Sequence, residues 1–486
     1  ASSGTEEAYV RLTWDGVQGA TNYVVFRSQT LVPPSSSSIT TSLSTFHDES
    51  AVQGTLYYYW IQAYVPDGDP VYGDLSEPAS GYRKLSAPIL ASGTGATDGT
   101  DTDRIVVSWT DPGDGAAEYE VVRNTSESIS GGITFSTDMQ SLNDMGPADA
   151  PTPGRRYHYC VRAYSTSSDD YSEYSAWDAG YQQPVAPTSV VAADNNTYDH
   201  TRISWDAVSG DIDSYVIYRN TGDQPGGGTS FVADQSPFND TSAYPGRIYY
   251  YWVRARNSSE DILGVYSSTD TGNRQLPTPT SFSVVVGGHY QGTAISRVEC
   301  RWDGDYDDGT YNGFSYLRED GLRVYRSTSA AGPWVDASGV LHDNSFSDTF
   351  IKEGGVLIWY DVTVPPGEWY YYRLCATTLD GERESDPTAS YVAYRPLPPV
   401  GNLDATSDDP AKVTVTWDSV AGADRYRVER WTYSHDWVVL GHTTGTTWAD
   451  STGEQGLTYF YYVTPMQDSD PVHVGQLSRV WGGVRP

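Results

Sequence analysis

A tryptophan that closes a short run of alternating apolar residues recurs five times, at Trp14, Trp109, Trp205, Trp302 and Trp417. Repetition at a near-constant period constrains a fold more than composition does, because each copy has to be one folding unit. The intervals are 95, 96, 97 and 115 residues, so the fourth copy is enlarged. Nine or ten residues after four of these tryptophans comes a second run: Tyr23-Val-Val-Phe-Arg27, Tyr119-Glu-Val-Val-Arg123, Tyr215-Val-Ile-Tyr-Arg219 and Tyr426-Arg-Val-Glu-Arg430. The fourth copy delays it to Leu322-Arg-Val-Tyr-Arg326. A third signal is an apolar residue, any residue, then Asp: Phe46/Asp48, Leu142/Asp144, Phe238/Asp240, Trp359/Asp361 and Trp448/Asp450. The fourth is Gly-x-x-Tyr followed by an aliphatic residue and Ala. It reads Gly54/Tyr57/Ile61/Ala63, Gly154/Tyr157/Val161/Ala163, Gly246/Tyr249/Val253/Ala255 and Gly367/Tyr370/Leu374/Ala376. The fifth copy, Gly456/Tyr459/Val463, has Pro465 where Ala belongs.

These runs alternate with period two, the signature of half-buried strands. The chain has 15 Trp, 39 Tyr and 10 Phe, strand-forming residues punctuated by 47 Gly and 28 Pro. No window sustains a 3.6-residue period, so the expected fold class is all-β. No run approaches the roughly 18 apolar residues that cross a bilayer as a helix. The net charge of −33, with only Lys84, Lys352 and Lys412 as lysines, repels phosphates and anionic headgroups. Neither nucleic acid nor membrane insertion is expected. Screening by salt or divalent ions suits such a surface.

Trp on the second strand, Tyr opening the third and Gly-x-x-Tyr before an alternating strand, in that order, resemble the fibronectin type III module. The resemblance covers essentially the whole chain and implies tandem two-sheet sandwiches of about 90–100 residues. The expected modules are 1–87, 88–186, 187–277, 278–397 with insertions, and 398–486. The resemblance also implies tyrosine corners at Tyr57, Tyr157, Tyr249, Tyr370 and Tyr459. Short joints carry Pro88, Pro184, Pro187, Pro277, Pro279, Pro396, Pro398 and Pro399, so an elongated rod with stiff joints is expected. Only Ala1 to Trp14 precede the first strand signal, so the first module is expected to lack its first strand. Either the chain is an excerpt of a longer protein, or a strand from outside completes that module. No initiator Met stands before Ala1, and a leader or longer N-terminal part is expected ahead of it.

Parity sorts each strand into two faces. With the corner tyrosines inside, Val24, Phe26, Tyr58 and Trp60 of the first module point outward, as do Val216, Tyr218, Tyr250 and Trp252 of the third. Such faces are expected to mediate protein contacts, by self-association or between neighbouring modules. The competing reading is cross-strand packing on the modules' own sheets. The same parity places Cys300 inward and Cys375 outward, so these thiols, with Cys160, are expected to stay free.

Asp303, Asp305, Asp307 and Asp308 resemble a calcium loop, with oxygen ligands on near-alternate residues. However, Gly309 falls one residue late and Phe314 stands in place of a closing Glu, which favours a plain acidic turn. Apart from that calcium site no cofactor is expected. The eight His are scattered, with no HExxH, GxSxG or phosphate-loop pattern, so an enzyme is not expected. Asn124, Asn195, Asn239 and Asn257 head Asn-x-Ser/Thr triplets, glycan acceptors where a host modifies secreted proteins. Two functions follow. One is an extracellular structural or adhesive scaffold, such as a surface-filament subunit. The other is a spacer or ligand-binding region of a larger secreted protein, for example a carbohydrate-associated one.

Overall fold

A computed structural model describes residues 1–36, 39–111, 113, 115–146, 149–279, 281–290, 293–303, 320–341, 347, 349–353, 356–431, 437–468, 473–475, 478 and 481–486. Among the described residues every regular element is a β-strand, and no helix is long and apolar enough to cross a membrane. The fold class is all-β, as expected.

The strands form ten sheets, two for each repeat of the sequence signals. The second module shows the plan. Ile105–Ser108, which leads into Trp109, pairs with Ser141–Asp144. The other sheet runs Ile133–Thr137, Glu118–Asn124, Arg156–Ser165, Asp170–Tyr171, with Asp178–Tyr181 also pairing along Arg156–Ser165. The paired strands are antiparallel, and the chain passes from the smaller sheet to the larger, back to the smaller and again to the larger, so each sheet covers the apolar face of the other. The first module repeats this with Val10–Thr13 on Thr45–Asp48, facing a sheet centred on Asn22–Ser28 and Tyr57–Val65.

By its contacts the chain divides into two compact units. One comprises Ala1–Ala192, Ile203–Phe238 and Tyr250–Asp270. It holds the first and second modules and most of the larger sheet of the third. The other comprises Ala193–Arg202, Asn239–Tyr249 and Thr271–Pro486, and holds the fourth and fifth modules.

Each core is built from the parity the sequence prescribes. In the second module Val107, Trp109, Val121, Tyr159 and Val161 pack together. The edge of the Trp109 ring meets Tyr119 at 5.3 Å, and Trp14/Tyr23, Trp205/Tyr215 and Trp417/Tyr426 repeat that contact at 5.2–5.4 Å. Each buried aliphatic side chain contributes about 1.5–3 kcal/mol by leaving water.

The expectation that the first module lacks its first strand is half corrected. No strand of two or more residues precedes Val10 among the described residues. Yet Ser2 N–H donates to Arg11 O at 2.8 Å, Tyr82 N–H to Ser2 O at 3.1 Å and Gly4 N–H to Tyr82 O at 3.1 Å. Thr97 and Gly99 make the matching bonds in the second module, so Ser2–Gly4 supplies the tail of the first strand. Of the acidic loop, Asp303 closes the strand Thr293–Asp303, while Asp305, Asp307 and Asp308 lie outside the described residues.

Candidate functional site: the joints between modules

Three of the recurring signals converge on one buried cluster. The Arg that ends the second run, the Asp of the third signal and the Tyr two residues past the corner meet inside the first, second, fourth and fifth modules. In the second module Arg123 Nη1 donates to both Asp144 oxygens at 2.7 Å, and Tyr159 Oη donates to the same carboxylate at 2.6 Å. Asp48 accepts from Arg27 and Tyr59, Asp361 from Arg326 and Tyr372, and Asp450 from Arg430 and Tyr461. Burial would raise the Asp450 carboxyl, but hydrogen bonds from Thr452, Arg430 and Tyr461 outweigh it and hold it below the usual range. Burial and the neighbouring carboxylate push the Tyr59, Tyr159, Tyr372 and Tyr461 hydroxyls upward. The cluster anchors the segment that leads into the corner. Arginine and aspartate recurring 20 to 35 residues apart in all copies was the signal that could have revealed it.

The corner comes next along the chain. Tyr57, Tyr157, Tyr249 and Tyr459 hydroxyls accept from the backbone N–H five residues upstream, of Val52, Thr152, Tyr244 and Glu454, at 2.8–3.4 Å. Five residues before Tyr370 stands Pro365, which has no N–H to give, so the fourth corner cannot make this bond.

The corner glycines hold the joints. Gly54, Gly154, Gly246, Gly367 and Gly456 have φ between 68° and 84°, the left-handed region that glycine enters freely. Each donates its N–H to the chain just past the last strand of its own module, to Arg83, Gln182, Arg274, Arg395 and Arg485 carbonyls at 2.8–3.0 Å. The carbonyl of three of them then accepts from the following module. Ser165 Oγ donates to Gly54 O at 2.8 Å, Asn257 Nδ2 to Gly154 O at 2.9 Å, and Arg383 Nε to Gly246 O at 2.8 Å. Ser165 and Asn257 stand two residues past the Ala of their motif, and Thr378 and Gln467 hold that place in the next copies. A Cβ at Gly246 would crowd Thr378, and one at Gly367 would strike Gln467. So the same two positions meet at all four joints.

The linkers complete this arrangement. Two residues past these Arg and Gln residues come Leu85, Pro184, Leu276 and Leu397, all buried. Leu85, Leu276 and Leu397 belong to the cores of the modules that follow them. Polar contacts flank the joints: Tyr82 Oη donates to Asp170 at 2.8 Å, Lys84 pairs with Glu173, and Gln275 Nε2 donates to Asp386 at 3.2 Å. Burial and then Asp170 push the Tyr82 hydroxyl up to about 12.

The proposed contact faces need correction. Val24, Trp60, Val216 and Trp252 are buried, at 4–8% exposure, and Phe26, Tyr58, Tyr218 and Tyr250 are half-buried. Parity is right, since Phe26 opposes Trp60 and Tyr218 opposes Trp252 on one side of their sheets. What parity misses is the segment that follows the corner strand and covers that side. Tyr266 packs on Tyr218 with centroids 5.1 Å apart, and the Arg254 guanidinium sits 4.5 Å from the Tyr266 ring. In the second module Arg162 lies 3.8 Å from the Tyr171 ring and 4.8 Å from Tyr174. Cross-strand packing therefore accounts for these residues. An exposed aromatic face lies on the fifth module, where Trp437 is 51% exposed beside Val438 and Val439, with its ring 4.3 Å from Tyr462. Trp437 lies on a strand, Trp437–Thr443, that the four recurring signals do not mark.

The remaining candidates divide. Asn257 is buried and its amide is spent on Gly154, so it is not a glycan acceptor. Asn124 Nδ2 donates to Ser128 and Ser130 carbonyls, and Asn195 Oδ1 accepts from Asn273, whereas Asn239 is exposed. Cys160, Cys300 and Cys375 are free and buried, and burial pushes the Cys160 and Cys375 thiols up to about 12. Among the described residues no three His, Cys, Asp or Glu side chains gather as a metal set.

No family model matches the sequence. Among solved structures the chain is similar to the chicken CNTN1 FN1–FN3 domains at 14% identity, covering 62% of this chain and 98% of that one, TM-score 0.20. It is similar to a two-domain fibronectin type III segment of chicken tenascin at 19% identity, covering 38% and 97%, TM-score 0.27. A Fn3-like protein from Clostridium thermocellum aligns at 20% identity, covering 18% and 94%, TM-score 0.17. At scores this low the fibronectin type III-like fold rests on the chain's own sheets and recurring residues.

Proposed function

We propose that this chain is a structural scaffold that sets the spacing and orientation of its modules, at the cell surface or outside the cell. The observation that carries this reading is the joint: a corner glycine carbonyl taken by the next module at three successive joints. Each such bond stabilises a joint by about 1 kcal/mol, and the buried linker residue restricts it further. A net charge of −33 is tolerable where salt screens it. Elongation with limited bending follows if the joints are rigid. Small-angle scattering of the whole chain tests this against a Ser165→Ala/Asn257→Ala variant. The expected result is an extended particle that becomes more flexible in the variant. A compact particle, or an unchanged profile in the variant, would overturn the joint's role.

A second reading, a ligand-binding region of a larger secreted protein, draws on the exposed Trp437 face of the fifth module. Exposed aromatic faces mark contact surfaces, including adhesive ones within a filament. Affinity electrophoresis through polysaccharide gels, with Trp437→Ala as control, separates the two. Retardation lost in the variant favours ligand binding; an unretarded wild-type chain rejects it for the polysaccharides used.

A further inference from the structure

One residue past the Ala of the corner motif, the first two modules carry a tyrosine, Tyr64 and Tyr164, where the later three carry Arg256, Thr377 and Met466. Each tyrosine lies directly across the sheet from a second one. Tyr64 opposes Tyr72 with ring centroids 5.3 Å apart, and Tyr164 opposes Tyr171 with centroids 4.7 Å apart. Aromatic residues facing each other on antiparallel strands bring their rings into contact. The second pair is the closer, near the separation of two directly bonded phenol rings. It also reaches water, since Tyr171 is 37% exposed and Tyr164 is half-buried.

Tyr164 also has a proton acceptor in place. Its hydroxyl donates to Asp169 Oδ1 at 2.6 Å, within the turn that joins the two strands. A phenol that loses an electron becomes strongly acidic, and a carboxylate at hydrogen-bond distance takes the proton as the electron leaves. Among the described residues no hydroxyl of the Tyr64–Tyr72 pair is bonded to a carboxylate. The Arg162 guanidinium, 3.8 Å from the Tyr171 ring, disfavours positive charge there, so Tyr164 is the first of its pair to be oxidised.

We propose that Tyr164 and Tyr171 form a modification site, at which oxidation joins the two rings by a carbon–carbon bond. The oxidant is hydrogen peroxide acting through a haem peroxidase. Each phenol gives up one electron and its hydroxyl proton, Tyr164 to Asp169 and Tyr171 to water. The two radicals couple at ring carbons beside the oxygen-bearing carbon, and the hydrogen on each of those carbons then moves to restore the hydroxyl. In sum, two C–H bonds and the peroxide O–O bond break, while one carbon–carbon bond and two waters form; the peroxide takes both electrons. The new bond closes residues 164–171 into a ring. That turn holds Ser165 against Gly54, Ser167 against Leu56 and Asp170 against Tyr82. Cross-linking it restricts the segment that grips the first module. The site goes beyond the scaffold role and does not depend on it.

The test treats the whole chain, in dilute solution, with a haem peroxidase and hydrogen peroxide. Cleavage ahead of Asp170 then separates Tyr164 from Tyr171 unless the two are bonded. The expected result is dityrosine fluorescence and a linked pair of peptides, lighter by two hydrogens than the sum of its parts. Tyr171→Phe abolishes that pair. Asp169 has φ of 53°, a left-handed conformation that Asn also enters, so Asp169→Asn keeps the turn. It should slow formation of the linked pair at least about tenfold and leave coupling of Tyr64 to Tyr72 unchanged. Absence of the linked pair from the native chain overturns the proposal, as does an equal yield from the chain unfolded in urea. An unchanged rate in Asp169→Asn overturns the part assigned to the carboxylate.

Discussion

The first and second modules carry the same four signals in the same order and pair their strands in the same register. In the second, Leu85 and Leu90 from the segment ahead of it join the core around Trp109, whereas Trp14 of the first is half-buried. Their Arg–Asp pairs differ in the same sense: Arg27 is 26% exposed and Arg123 4%, over carboxylates that are both buried. The difference teaches that a module of this kind is not a closed unit of its own sequence repeat. Its core is finished by the segment delivered ahead of it, so linker and core are one element in the second module.

Removing the buried carboxylate should separate the two modules most. Asp144→Ala strands Arg123 without its partner and is expected to cost the second module about 3–5 kcal/mol. Asp48→Ala leaves Arg27 partly in water and should cost about 1–2 kcal/mol. Hydrogen exchange in Arg156–Ser165 and Tyr57–Val65, read on the whole chain in urea, reports each module separately. Equal losses would break the comparison.

The outer faces come next. Trp60 and Cys160 occupy matching places, both buried on the side away from the core. Trp60→Ala is expected to destabilise the first module by about 3 kcal/mol, and Cys160→Ala the second by about 1 kcal/mol. Sedimentation should be unchanged in both. A Trp60→Ala chain that folds normally but loses association would restore the contact role.

Leu90→Ala should turn the second module towards the first. The expected cost is about 2–4 kcal/mol, from lost transfer energy and a cavity beside Trp109. Acrylamide quenching that rises with no change elsewhere would sharpen the comparison. A cost under about 0.5 kcal/mol would show that the linker does not complete the core.

The smallest expected effect is on pH. Burial alone would raise the Asp48 carboxyl, but hydrogen bonds from Ser50 and Arg27 hold it below its ordinary value. A folded value below the unfolded one stabilises fully above about pH 4 and is lost as the pH falls through the folded value. The stability gap between wild type and Asp48→Asn in the first module should therefore shrink from pH 6 to pH 3. A gap that widens would contradict the sign.

Period-two alternation decided which side of each strand a residue takes, and that much was legible for Tyr57, Tyr59, Trp60 and Cys300 alike. Order and spacing of Trp14, Tyr23, Asp48 and Tyr57 determined the two-sheet plan, and Pro365 already denied a corner bond to Tyr370, because these are local matters of backbone geometry and donors. Whether the second side is covered was not local. Trp252 is buried opposite Tyr218, onto which Tyr266 returns over the sheet, and Asn257 is spent because Gly154, 103 residues earlier, comes within 2.9 Å. Arg123 and Asp144 lie 21 residues apart and meet only once two sheets face each other. The sequence by itself determined the strands, their faces and the repeat. Only the tertiary structure decided which faces are closed and which joints are bonded, since burial and hydrogen bonding there depend on segments that parity cannot bring together.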